Sequence, residues 1–360
     1  MPPSSPSSAT RRSWAAICNV ILIAAGASAT TVLADDTIPM RTEPVEFGGS
    51  VVAVEATSRG GIGSGGGSAI VFAEDGTFLA ERCGEGWCIE EAEVEPPLAP
   101  PADTDGLAPL PDGGVAAAGG DVQRAWYADP TDRYAHGILG DAIEAGALAV
   151  AREEGGEPIV LRLPENEVFE DITPRLADLD GDGRNEIVAL QSEASSGGSL
   201  AVYGLREDDL ALIGRTPAIG TPNRWLNVAA IEDFDGDGVL DVALVETPHI
   251  GGELQLWSGR SLKDGSPELL AAAPGFSNHA IGSRAQDLSE VVSWAGRTLL
   301  FVPNARRSAI RAMEFVSGEG WIERGTLVLS GELATNIASV GADLAFGLDD
   351  GTLVRAAFGQ

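Results

Sequence analysis

One acidic segment occurs twice in this chain, and it constrains the fold more than any other feature of the sequence. Residues 176–190 read LADLDGDGRNEIVAL, and residues 231–245 read IEDFDGDGVLDVALV. The leading aspartates of the two copies, Asp178 and Asp233, are 55 residues apart. A period near fifty residues is the length of one four-stranded blade of a β-propeller, in which radial repetition protects the strand edges.

The sequence between and around the two copies has the pattern of an all-β protein. Short runs rich in Val, Ile, Leu and Ala are separated by clusters of Gly, Asp, Pro and Ser, which favours strands and turns over long helices. Asp-Gly pairs at 75–76, 112–113, 264–265 and 350–351 predict tight hairpins. Residues 90–111, rich in Pro, Glu and Asp, predict a long loop.

We therefore predict an all-β fold: a single β-propeller of four-stranded blades over residues 35–360. Seven blades are expected, with six as the alternative. In the seven-blade division, residues 104–130 and 136–163 form separate units. The last unit combines residues 335–360 with a strand from residues 41–49.

The first 34 residues predict an export signal peptide. Arg11 and Arg12 precede an apolar stretch, residues 15–27, that is too short to span a bilayer comfortably. Small residues then lead to a cleavage site after Ala34. An uncleaved membrane anchor is the alternative. The predicted destination is the periplasm, the cell surface or the medium.

Two cysteines follow the predicted signal, Cys83 and Cys88, in the segment CGEGWC. In a chain that reaches an oxidising compartment, a local disulfide is expected for such a pair. A two-cysteine metal site is the alternative, although no histidine or further cysteine lies nearby in the sequence.

The formal net charge is −31, and Lys263 is the only lysine. So acidic a surface repels phosphate backbones and anionic lipid headgroups, which argues against nucleic-acid or membrane-surface binding. The charge suits divalent cations, cationic partners or simple solubility.

The repeated segment contains two candidate metal loops, loop one (residues 178–186) and loop two (residues 233–241). Each places carboxylates on alternate residues and a glycine where the chain must turn back sharply, which suits the six to eight oxygen ligands of calcium. The predicted ligands of loop one are Asp178, Asp180, Asp182, the carbonyl of Arg184, and Glu186. Those of loop two are Asp233, Asp235, Asp237, the carbonyl of Val239, and Asp241. The alternative is a pair of acidic turns without an ion.

An EF-hand begins in the same way but needs a glutamate at its twelfth position and a following helix. Here the twelfth positions are Ala189 and Leu244, within strand-like runs. The pattern instead resembles the FG-GAP or VCBS repeat, and the loops resemble the calcium loops of integrin α-subunit propellers. The resemblance is clearest over residues 169–270. It implies a propeller, commonly of seven blades, with calcium in its hairpin loops.

No catalytic motif stands out in the sequence. Residues 61–66 spell a dinucleotide fingerprint, but a strand-like run follows where a helix is required, so we interpret them as a hairpin loop. The three histidines, His136, His249 and His279, are far apart in the sequence and form no zinc signature.

The main functional prediction is a monomeric, non-catalytic module that binds a protein or a glycan outside the cytoplasm. The alternative is a lyase or hydrolase that acts on an acidic polysaccharide, for which a positioned acid or base is needed. The candidate residues for that chemistry cluster in one segment: Tyr127, Arg133, Tyr134 and His136.

Overall fold

The structure is a computed structural model that describes residues 37–47, 49–57 and 67–358. The predicted signal peptide and the segment 61–66 lie outside the described residues. The residues from Thr37 onward form one compact unit. Within the described ranges, no helix is long and apolar enough to cross a membrane.

The strands form antiparallel four-stranded blades, which confirms the predicted fold class. Strand β1 (Met40–Pro44) belongs to the last blade. Blade 1 contains β2 (Val51–Ala56), β3 (Ser68–Ala73), β4 (Gly76–Cys83) and β5 (Gly86–Glu91). Blade 2 contains β6 (Val115–Ala117), β7 (Arg124–Thr131), β8 (Glu144–Ala151) and β9 (Ile159–Arg162). A short strand, β10 (Glu167–Phe169), pairs with both β8 and β12 and joins blades 2 and 3 into one continuous sheet.

Blade 3 contains β11 (Arg175–Ala177), β12 (Glu186–Glu193), β13 (Gly197–Arg206) and β14 (Asp209–Arg215). Blade 4 contains β15 (Leu226–Glu232), β16 (Asp241–Glu246), β17 (Glu253–Trp257) and β18 (Leu269–Pro274). Blade 5 contains β19 (Glu290–Trp294), β20 (Arg297–Pro303), β21 (Ala309–Val316) and β22 (Gly320–Val328). Blade 6 contains β23 (Ala338–Val340), β24 (Asp343–Gly347) and β25 (Leu353–Phe358), and β1 completes it.

The described residues therefore form six blades, the alternative number, rather than seven. The two units expected at residues 104–130 and 136–163 are one meander, β6 to β9. Residues 92–114 contain no strand, as their richness in Pro and acidic residues predicts. The expected pairing of an N-terminal strand with the C-terminal blade is confirmed, since Met40 lies opposite Phe358 and Pro44 opposite Val354.

Hydrophobic clusters lie between consecutive blades and hold them together. Val188 and Leu190 of blade 3 share a buried cluster with Val228 and Leu244 of blade 4. Similar clusters join blades 2 and 3, 4 and 5, 5 and 6, and 6 and 1. Strand β8 is buried along its whole length, and its Ala and Gly residues allow close packing on both faces.

The predicted hairpins at 75–76 and 350–351 are confirmed, but those at 112–113 and 264–265 are wrong. The pair at 112–113 lies in the strand-free segment before β6. A short helix, α1 (Gly259–Lys263), stands between β17 and β18, and the Asp264-Gly265 pair follows it. The side chain of Ser258 caps this helix by accepting a hydrogen bond from the Ser261 amide, a common role for serine before a first helical turn.

The predicted disulfide is present. Cys83 ends β4 and Cys88 lies in β5, and their Cα atoms are 5.6 Å apart. The bond closes the β4–β5 hairpin, so it is a local staple.

Candidate metal centre

The two acidic loops occupy equivalent places in consecutive blades. Loop one connects β11 with β12, and loop two connects β15 with β16. In each case the last predicted ligand, Glu186 or Asp241, is the first residue of the following strand. The sheet therefore fixes one end of each ligand set.

Both loops have the same internal hydrogen bonds. The carboxylate of Asp178 accepts from the backbone amides of Asp182 and Gly183. The carboxylate of Asp233 accepts from the corresponding amides of Asp237 and Gly238. These bonds hold each loop in a tight turn.

The glycines of the DGDG motif have matching left-handed backbones. Gly181 and Gly183 have φ of 74° and 84°, and Gly236 and Gly238 have φ of 77° and 84°. Side chains other than glycine seldom adopt this conformation, so the turn needs glycine at these positions. The two loops therefore fold alike, and any difference between them arises from their surroundings.

The structure brings together most of the predicted carboxylates. One oxygen from each of Asp178, Asp180 and Glu186 lies within 4.8 Å of the others in loop one, and the same holds for Asp233, Asp235 and Asp237 in loop two. Asp182 and Asp241 lie outside these two tight groups. Hard carboxylate oxygens in such a group are the ligands that calcium prefers.

The prediction assigns only the main-chain carbonyls of Arg184 and Val239 as ligands. Their side chains are engaged elsewhere. The Arg184 guanidinium binds Asp121 and donates to the carbonyl of Leu205. The Val239 side chain is buried.

Asp241 supplies the observation that tests whether loop two fits a cation. Its side chain is only 3% exposed, and its Oδ2 atom is buried without a hydrogen-bond partner. Its Oδ1 atom accepts from the Gly259 amide at 3.4 Å. Burial, together with the negative charge of Asp235, raises the pKa of Asp241 to about 7. An unpaired buried carboxylate is costly, and a divalent cation among these carboxylates would remove that cost. The residues of loop two therefore fit calcium.

The equivalent carboxylate of loop one has its partners. Glu186 accepts from the Leu179 amide at 3.0 Å, and its other oxygen lies 3.2 Å from the Lys263 ammonium. The same ammonium donates to Asp180 at 2.6 Å and to Asp182 at 2.9 Å. Burial opposes the charge of Lys263, but the bonds to Asp180 and Asp182 outweigh it and raise the Lys263 pKa.

Sequence reasoning did not assign a role to Lys263 or to Arg260, both of which lie on α1. The Arg260 guanidinium approaches Asp237 of loop two at 3.3 Å, with both side chains well exposed. In the sequence, Lys263 stands out only because it is the single lysine of the chain. Nothing local relates it to a loop more than eighty residues away.

The residues suggested for catalysis separate into different environments. Tyr127 is buried and its hydroxyl bonds to Asp171. Arg133 donates to the carbonyl of Glu167. Only Tyr134 and His136 lie side by side, with ring centroids 6.1 Å apart.

His136 has a buried acidic partner that the sequence did not indicate. Its Nδ1 atom lies 2.5 Å from a carboxylate oxygen of Glu170, whose other oxygen accepts from Ser192. Burial raises the pKa of Glu170. Burial, followed by the charge of Glu170, raises the pKa of the neighbouring Glu144 to about 9.

The other two histidines are far apart in sequence but in contact in the structure. His249 Nε2 lies 2.9 Å from His279 Nδ1, and both rings pack against Trp225. Burial lowers the pKa of His249 to about 3 and that of His279 to about 4. Neutral histidines that pack against a tryptophan fit a packing role.

A separate cleft of about 1020 Å³ lies among residues of blades 1, 5 and 6. Arg41, Arg82 and Arg355 contribute to its lining, together with Trp294 and Phe358. Arg355 is paired with Asp343 and Glu43, whereas the Arg41 residue is exposed. Aromatic faces beside arginines are surfaces suited to a sugar or an anionic group.

Comparison with known proteins agrees with this description. Residues 178–244 match the family model of the FG-GAP-like repeat, a stretch that includes both acidic loops. No curated protein sequence matches the chain.

Two solved structures are similar to the chain at low sequence identity. The WD40 domain of coronin from Toxoplasma gondii is 10% identical with a TM-score of 0.45, and the match covers 89% of this chain and 88% of that chain. An auxiliary nutrient binding protein from Bacteroides thetaiotaomicron is 8% identical with a TM-score of 0.43, and the match covers 90% of this chain and 77% of that chain.

The four-stranded blades, the paired acidic hairpins of blades 3 and 4, and the family match over those hairpins lead to one conclusion. The chain is a β-propeller whose residues 178–244 match the FG-GAP-like repeat.

Proposed function

We propose that the protein is an exported calcium-binding β-propeller that acts as a binding module for a protein or a glycan. The observation that carries the calcium part is the buried, unpartnered Oδ2 atom of Asp241 beside the grouped carboxylates of loop two. Calcium there neutralises the carboxylates and fixes the β15–β16 hairpin, so its role is structural.

The test of the calcium part is a thermal melt with millimolar calcium, with magnesium, and with excess chelator. A ligand at a hundred times its dissociation constant stabilises the native state by about 2.7 kcal/mol. The double substitution Asp233→Asn/Asp235→Asn should abolish the shift, whereas Asp208→Asn, in an exposed acidic turn, should retain it. Equal melting temperatures with calcium and with chelator would refute the site.

The cleft supports the ligand-binding part of the proposal. Trp294 offers an aromatic face, and the exposed Arg41 offers positive charge on an otherwise acidic protein. A glycan array probed in calcium tests this role, with Trp294→Ala and Arg41→Ala as variants. The proposal fails if no glycan or candidate protein binds, or if neither substitution weakens the binding that is found.

Export is supported by the Cys83–Cys88 disulfide, because such bonds persist in oxidising compartments. Expression of the full chain in a bacterial host, followed by fractionation and N-terminal sequencing, tests it. The expected mature N-terminus is Asp35. A full-length protein retained with the cytoplasmic fraction would contradict export.

A second candidate function is a lyase or hydrolase for acidic polysaccharides, and the pairing of His136 with Glu170 favours it. A histidine oriented by a carboxylate beside a tyrosine is an arrangement that can transfer protons. Incubation with uronate polymers should then give unsaturated or reducing ends, and His136→Gln should remove the activity. The absence of any product from the wild-type protein would eliminate this candidate.

A further inference from the structure

The two acidic loops have the same backbone but different cationic surroundings. Loop one faces an ammonium group that is delivered by the next blade, because Lys263 ends helix α1 of blade 4 whereas loop one belongs to blade 3. In loop two, the buried Oδ2 of Asp241 lacks any partner. The DGDG turn is the same, but three carboxylates of loop one contact one ammonium, whereas in loop two an exposed arginine contacts Asp237 alone.

The Lys263 ammonium matches the geometry of loop one. An ammonium has three hydrogen-bond donors and no acceptor. Its nitrogen lies 2.6 Å from Asp180, 2.9 Å from Asp182 and 3.2 Å from Glu186, so each donor has one carboxylate. Two of these residues, Asp180 and Glu186, belong to the group that could hold a metal ion. The ammonium and a metal ion therefore compete for the same oxygens.

Helix α1 holds the lysine in place. Leu262 is fully buried in the cluster shared by blades 3 and 4. A side chain at Gly214 of β14 would collide with the Leu262 carbonyl, and one at Gly259 would collide with the Leu240 carbonyl. This close packing on both neighbouring blades fixes the backbone of α1 beside loop one.

The residue type is also informative. All other basic side chains, histidine aside, are arginines. Arginine is a planar fork suited to paired contacts in one plane, whereas lysine ends in a compact charge whose donors point in three directions. Three carboxylates arranged around a point require lysine. The single lysine of the chain stands where that geometry occurs.

From these observations we infer that the ammonium of Lys263 is the resident cation of loop one, and that calcium binds at loop two alone. This inference rests on the proposed calcium site in loop two. It assigns to Lys263 a binding role: it replaces a metal ion and joins blade 3 to blade 4 without calcium.

The test counts calcium ions on the whole mature protein. Calcium is removed with chelator, and isothermal titration and native mass spectrometry then give the number bound to the wild type, Lys263→Met and Arg260→Met. Methionine keeps the length of the lysine without its charge. Arg260 lies on the same helix but approaches loop two, so its substitution is the matched control.

We expect one calcium for the wild type, two for Lys263→Met and one for Arg260→Met. The Asp235→Asn variant should bind none, and Lys263→Met/Asp235→Asn should bind one. In the melting experiment, Lys263→Met should show a larger calcium-dependent rise than the wild type.

The outcomes separate this inference from the proposed function. Two calcium ions on the wild type would overturn the inference about Lys263 and leave the proposed calcium binding intact. One ion on both the wild type and Lys263→Met would also overturn the inference. No ion on the wild type but one on Lys263→Met supports the role of Lys263 and refutes the site in loop two. No ion on any variant refutes both.

A second measurement needs no substitution, in case Lys263→Met does not fold. Because the chain has one lysine, labelling with ¹⁵N-lysine gives one side-chain ammonium signal by NMR. We expect a slowly exchanging signal that is unchanged at saturating calcium. A signal that shifts and exchanges rapidly once calcium is added would show that the metal displaces the ammonium, and would overturn the inference.

Discussion

Replacing Asp241 by asparagine should change the stability of the protein in opposite directions with and without calcium. The carboxylate of Asp241 is buried and one of its oxygens has no partner. Without a cation it destabilises the native state, whereas with calcium it becomes a charged ligand. The amide has nearly the same size but no charge, so it removes both effects.

The magnitude follows from the pKa of this group. Burial and the charge of Asp235 raise the Asp241 pKa from 3.8 to about 7. Because the carboxyl pKa is higher in the native protein than in the unfolded chain, stability is lost as the pH rises to the native pKa. By pH 8 this loss amounts to about 4 kcal/mol. Burying an amide without a partner itself costs about 1–3 kcal/mol. The variant should therefore be more stable than the wild type by about 1–3 kcal/mol in chelator.

With calcium the sign reverses. The wild type gains about 4.1 kcal/mol when calcium exceeds its dissociation constant a thousandfold, and the variant should lose most of this gain. This gain is larger than the advantage of about 1–3 kcal/mol that the variant has in chelator. Urea unfolding at pH 8, in chelator and in calcium, measures both effects.

Glu186→Gln in loop one is the matched control. Glu186 has hydrogen-bond partners for both oxygens, one of them the Lys263 ammonium, so its substitution should destabilise the protein by about 1–3 kcal/mol in either condition. The reasoning is refuted if Asp241→Asn is less stable than the wild type in chelator, or if both proteins gain equally from calcium.

Three further predictions follow from the described contacts. Burial, followed by the charge of Glu170, raises the Glu144 pKa to about 9, so the native carboxyl keeps a proton that the unfolded chain releases. The free energy of unfolding should therefore fall by up to about 1.4 kcal/mol per pH unit between pH ~5 and ~8.5. The substitution Glu144→Gln should flatten this slope in urea titrations. The substitution Arg355→Met removes the buried ion pair with Asp343 and the contact with Glu43. It should lower the free energy of unfolding by about 3 kcal/mol in the same assay. A decrease below ~1 kcal/mol would show that this pair does not stabilise blade 6. Reduction of Cys83–Cys88 should cost about 2 kcal/mol, because the loop is short, and a loss of calcium binding in the reduced protein would contradict its local role.

Part of the fold followed from the sequence because its signals are local. Strand-like runs such as residues 187–190 and 242–245 are strands, and the acidic repeat lies in equivalent hairpins of two blades. The number of blades was harder to predict, because residues 104–163 lack the acidic marker. The polar segments there gave no sign of which short runs pair with each other.

The sequence by itself determined the shape of the acidic loops. Alternating carboxylates and a DGDG turn need no distant residue, because the leading aspartate of each loop accepts from amides four and five positions later and the glycines permit the left-handed backbone. Tertiary structure decided what each loop can hold. Packing of α1 between blades brings Lys263 to loop one, whereas the buried Oδ2 atom of Asp241 in loop two has no hydrogen-bond partner. Lys263 and loop one meet because neighbouring blades pack together, and their separation along the chain does not predict this contact. The charge balance of each loop therefore depends on the packing between neighbouring blades.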